Sequence, residues 1–210
     1  MGGSGSIADA LQYGCLDYNW NSVIIADEGV IITLLAVMKR NEFDTMDDRG
    51  LCSACFAPLI GEFKNIRVGG GDERAFYDSL TDGQQALFMF RIYYDHVIHS
   101  PEDLYWRSAY YHAQPVIWSS LKNTLPLIGE QGILQLAEEI EGFLAERNYA
   151  RSLDSFAATI QDLGRDAELL ASFNAFYVQL QQATSDSFNR LAEYIRRHAD
   201  DFIQLTNESY

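Results

Sequence analysis

Thr81-Asp-Gly-Gln-Gln-Ala-Leu-Phe-Met-Phe90-Arg-Ile-Tyr-Tyr-Asp-His-Val-Ile-His-Ser100-Pro-Glu-Asp103 contains the end of one helix and the starts of two. Thr81 and Gln84 spell a capping box, in which the hydroxyl accepts from the backbone three residues on and the amide reaches back. Ala86, Leu87, Phe90, Tyr93, Tyr94 and Val97 then recur at steps of three and four, which makes one apolar stripe. Ser100 is a natural N-cap and Pro101 suits the first helical position. Glu102 and Asp103 complement the positive end of the next helix.

The same spacing continues outward. The helix from Pro101 runs to about Gln114, where Pro115 kinks or ends it, and Trp118–Leu125 continues before Pro126. Helices are predicted over Gly129–Arg147, Ser152–Leu163 (closed by Gly164), Asp166–Gln182 and Thr184–Gln204, the last two as an antiparallel hairpin. Toward the N-terminus, Gly69-Gly-Gly71 is a break. It is a turn rather than a phosphate cradle, because no G-x-G-x-x-G or G-K-[ST] surrounds it. Leu51–Ile66 reads as a helix weakened by Pro58 and Gly61, Asn41–Arg49 as a polar connection, and Val23–Met38 as a buried helix. Period-two alternation is nearly absent and no repeat recurs. The fold class is all-α: a multi-helix bundle of about seven to nine helices with a C-terminal antiparallel helical hairpin. Residues 7–210 form a single helical domain with a point of subdivision near 147–151, and residues 1–6 a Gly/Ser terminus or tag.

Composition narrows the function. The 210 residues hold 15 Lys+Arg against 30 Asp+Glu, a net charge of −15, with 48% hydrophobic content. That content excludes wholesale disorder. The charge argues against wrapping nucleic acid or lying on an anionic membrane. Met1–Ser6 lacks a basic and an apolar signal region, and a linker explains its M-G-x-x-x-S letters more simply than myristoylation. The apolar run Gly29–Met38 falls well short of the ~20 residues that span a bilayer. A cytoplasmic protein is expected. Cys15, Cys52 and Cys55 are odd in number, and Cys52-Ser-Ala-Cys55 has no second pair for zinc and no βαβ context for redox chemistry. They read as small apolar side chains.

Two sets of residues could carry function. Phe76–Trp118 holds eleven aromatics and three of the four histidines. Tyr93, Tyr94, His96, His99, Tyr105, Trp106, Tyr110 and His112 are therefore ligand-binding candidates; an aromatic core or an interface explains the same letters. His96 and His99 share a helix face near Asp95 and Asp103, but Glu-x-x-His pairs and H-E-x-x-H are absent, so no metal or cofactor is expected. His198, beside Arg196 and Arg197, suits a helix C-terminus. No G-x-S-x-G elbow or other nucleophile stands out, so no catalytic residue is assigned. The second set is acidic: residues 126–210 carry 14 acidic and 6 basic side chains. Glu138, Glu139, Glu141, Glu146, Asp162, Asp166 and Glu168 are candidates for contact with a basic protein. Solubility alone also accounts for them. The sequence thus reads as a non-enzymatic acidic interaction protein with a basic protein partner and no direct nucleic-acid or membrane contact, with a homodimer as one arrangement. The alternative is a small-molecule-binding protein or enzyme that uses residues 76–118.

Leu80-Thr-Asp-Gly-Gln-Gln-Ala-Leu87 and Leu127-Ile-Gly-Glu130 with Leu134-Gln-Leu-Ala137 resemble helix starts of an all-helical bacterial family that includes an acidic DNA-mimic protein. The resemblance covers residues 80–146. In place of the family's Asn-Asn-Gly-Gly-Phe turn this chain has His99-Ser-Pro-Glu-Asp-Leu-Tyr105. The resemblance implies an acidic helical protein that occupies the DNA-binding face of another protein, as a DNA mimic or an inhibitor or immunity protein.

Overall fold

The caps at Thr81 and Ser100 set the centre of the fold. In the computed structural model, which describes residues 34–206, Thr81 Oγ1 accepts from Gln84 N and Gln84 Oε1 accepts from Thr81 N at 3.1 Å. They open α4 (Asp82–Val97), which follows β1 (Ala36–Lys39), α1 (Arg40–Thr45), α2 (Asp48–Val68) and α3 (Glu73–Ser79). Ser100 caps α5 (Pro101–His112), and Pro115 then starts α6 (Pro115–Thr124). After a 3-10 turn over Leu125–Ile128 come α7 (Gln131–Glu146), α8 (Ala167–Ala183), α9 (Ser187–Arg197) and β2 (Ile203–Thr206). The all-α bundle is thus the observed architecture, with nine α-helices and one small sheet among the described residues.

α4 is buried on nearly every face, the condition of a central helix. α2 and α9 pack on one side of it, α5 and α6 on the other, and α7 and α8 pack against α5. One continuous core runs from Ala36 to Ile203. The start of α4 is fitted closely: a Cβ on Gly83 would lie 2.7 Å from Tyr194 and 2.9 Å from Phe202. Gln84 Nε2 donates to Leu34 O and Asp201 O, which fastens both ends of the described chain to this helix. Glu130, wholly buried, pairs with Arg190 at 2.6 Å and ties the start of α7 to α9. Among the described residues no helix is long and apolar enough to cross a membrane.

Several local expectations are corrected. The predicted helices Val23–Met38 and Thr184–Gln204 give way at Ala36–Lys39 and Ile203–Thr206 to a parallel strand pair, with Ala36 opposite Ile203. Four-residue strands are too short for alternation to register, and pairing across the fold overrides local spacing. Asn41–Arg49 is not wholly a connection, since α1 opens with Glu42 Oε2 accepting from Lys39 N. Ser152–Leu163 is not a helix but two 3-10 turns, Leu153–Ser155 and Ile160–Asp162. There Ser152 and Asp162 take backbone amides, and such bonds compete with the helix ladder. The left-handed residue after α7 is Asn148 (φ 58°); Gly164 is not left-handed. The C-terminal hairpin is not found as a packed pair: α8 lies on α5 and α7, whereas α9 lies on α2. Phe173 of α8 meets Tyr105 and Phe143, while Phe188 of α9 meets Phe90 and Tyr94. The Gly/Ser terminus, Cys15 and the stretch before Leu34 lie outside the described residues.

Candidate functional site

The aromatic and histidine candidates are distributed among packing seams. The Tyr93 hydroxyl is 3.0 Å from Ser108 Oγ, and its ring meets Tyr111 and Trp118. Burial pushes its phenol well above the ordinary range. Tyr94 faces the other side, against Phe90 and Phe188. Tyr105 is fully buried; its hydroxyl donates to Asp162 Oδ2 and lies 3.0 Å from the Tyr149 hydroxyl. Trp106 and Tyr110 stack at 5.2 Å with Phe156 edge-on to both, and the Arg107 guanidinium lies over Trp106.

The histidines divide three ways. His96 Nδ1 donates to Ile92 O, and burial, with Arg107 nearby, lowers its pKa to about 4. His99 is exposed and its Nε2 donates to Asp95 O. His112 is 1% exposed with no hydrogen-bond partner for either ring nitrogen among the described residues. Burial first, and Arg151 next, push it toward the neutral form against an opposing pull from Glu141. Among the described residues no three His, Cys, Asp or Glu side chains gather as a metal site. Burial pushes the thiols of Cys52 and Cys55 up to about 12, so both are protonated and unreactive at neutral pH.

The seven candidate carboxylates separate by what they touch. Glu141 is held by Lys122 and Arg151; burial works to raise its pKa, but these cations hold it below the usual range. Asp162 accepts from Thr159 and Tyr105. Asp166 caps α8 through Leu169 N and shares Arg147 with Glu168. Each of these four has a partner within the chain. Glu138, Glu139 and Glu146 lie on the exposed face of α7 with no cation partner among the described residues; Glu139 accepts only from Gln135.

Sequence reasoning missed a cleft of about 640 Å³ between the start of α3, the α5–α6 junction and the turn at Arg151–Asp154. Gly71 and Pro115, both legible as breaks, stand on its walls. No local signal says that the Arg151 turn folds across them. No family model, no curated protein and no solved structure matches this chain.

Proposed function

We propose that this chain is a non-enzymatic acidic interaction protein that docks a basic protein partner on the outer face of α7. The observation that carries the reading is how charge is spent. Among the described residues at least eight of the fifteen cations form ion pairs. Lys122, Arg147 and Arg151 turn to Glu141, Asp166 or Glu168, and Arg190 turns to Glu130. Glu138, Glu139 and Glu146 are left facing solvent on a rigid helix, spread over two turns, roughly 12 Å at 1.5 Å per residue. Fixed carboxylates on such a face attract a basic surface and speed encounter. The resemblance over residues 80–146 supports the same reading, with a nucleic-acid-binding protein or a toxin as the partner and the carboxylates in place of phosphates.

Affinity capture from source-cell lysate, eluted by a salt gradient, tests it. A basic protein that leaves at moderate salt and is not retained by E138K/E139K/E146K is the expected result. A partner retained equally by that variant would overturn the assignment of the α7 face.

A further inference from the structure

Beyond the α7 docking face, and independently of it, we propose that the outer face of α8 is a self-association surface, on which a second copy of this chain packs its own α8. α8 buries Leu169, Phe173 and Leu180 in the core and packs on α5 and α7. It is exposed to solvent at Ala171, Asn174, Val178 and Gln181. These residues are spaced three, four and three apart, the period of a seam between two paired helices. Val178, in the middle of that seam, is 51% exposed, and Leu170 stands exposed beside it.

Charge identifies the occupant. The chain has a net charge of −15 and 21% charged residues, yet none occurs in the seventeen residues from Leu169 to Ser185. Two copies repel wherever their carboxylates face each other. The outer face of α8 lets them meet without bringing like charges together, whereas a basic partner finds no carboxylate there and is drawn to α7. The polar groups of the face point the same way. Asn174, Gln181 and Gln182 are exposed and end in amides that both donate and accept, so each can bond to the same groups of its copy across a two-fold axis. An ionised carboxylate or an ammonium group cannot pair with its own copy in this way. The 17 residues of α8 give a seam about 25 Å long on a helix about 10 Å wide, which falls short of the ~800 Å² per partner of a standard interface. The dimer is therefore weak and dependent on concentration.

The test is sedimentation equilibrium of the full chain from about 1 to 500 µM. A monomer–dimer equilibrium within that range is expected. Added salt should strengthen it, because screening reduces the repulsion between two chains of net charge −15. A basic protein held by the acidic face of α7 is instead released by salt, so the two contacts are told apart. V178E and V178K each place a charge in the middle of the seam. Val178 is exposed and both replacements favour a helix more than valine does, so each variant is expected to keep the wild-type Tm. Each alone should weaken dimerisation at least about tenfold, since like charges then face each other. An equimolar mixture of the two should recover it, because opposite charges meet across the seam. A wild-type chain that stays monomeric at about 500 µM, a dimer that salt weakens, equal dimerisation in V178E, or a mixture that fails to associate would each overturn the proposal.

Discussion

Replacing glycine by alanine should change stability with opposite sign at Gly83 and Gly142. Both glycines lie in helices, so in open space each substitution would stabilise by roughly 0.5–1 kcal/mol through lower backbone entropy of the unfolded chain. Gly142 is on the exposed side of α7, and a Cβ there meets nothing within 4 Å. The full gain is expected. At Gly83 the Cβ would sit 2.7 Å from Tyr194 Cε1 and 2.9 Å from Phe202 Cζ, well inside contact distance. Tyr194 is half-buried and can swing outward, but Phe202 is 1% exposed and held between α4 and the strand pair. Overpacking of this kind costs about 1–3 kcal/mol, and the entropy gain returns less than 1. G83A is therefore expected to be destabilised by about 1–2 kcal/mol, a fall in Tm of roughly 2–8 °C for a domain of this length. Urea unfolding followed by far-UV circular dichroism gives both values on one scale. If G83A proves as stable as G142A, the close seating of α4 on Tyr194 and Phe202 is refuted.

Two further outcomes follow from buried polar groups. Y105F removes the hydroxyl that Asp162 accepts from and that Tyr149 approaches, and should cost about 1–2 kcal/mol. Hydrogen exchange should quicken in residues 149–162 more than in α4, and uniform quickening would count against a local role. Burial lowers His96 in the folded protein to about 4, below the ordinary 6.5, so the unfolded chain binds the proton more readily. Its contribution is present in full above pH 6.5 and is lost as pH falls from 6.5 toward 4. An imidazole NMR titration of His96 with a midpoint near 6.5 would contradict that burial.

What the sequence disclosed was local chemistry. Thr81, Gln84 and Ser100 act at short range, through bonds to amides three residues away, and Pro101 through its fixed φ, and α4 and α5 begin where those residues place them. Apolar spacing likewise marked α7 and α8. Choice of neighbour is another matter. Phe173 and Phe188 are both apolar helix residues, yet Phe173 meets Tyr105 while Phe188 meets Phe90, contacts set by the tertiary fold. Ser152–Asp162 has helical letters, but its hydroxyls and carboxylate take the backbone amides first. The acidic cluster was visible as composition, yet nothing local separates Glu141, which faces Lys122, from Glu138, which faces water. The cleft joins segments distant in sequence, and its charged side chains become neighbours only after folding.

The parallel strand pair also has a bearing on synthesis. Met38 and Thr206, which meet across it, are 168 residues apart in the chain. At roughly 5–20 residues per second, β1 leaves the ribosome about 10–30 s before β2 exists. During that interval its exposed amides have no strand to pair with, and Gln84 holds only one of its two carbonyl partners. The helices around α4 can pack early, while the seam at Asp201–Thr206 closes only once that segment has been made. A ribosome-bound chain stalled before Ile203 should therefore expose β1 to proteases and chaperones that the released protein resists.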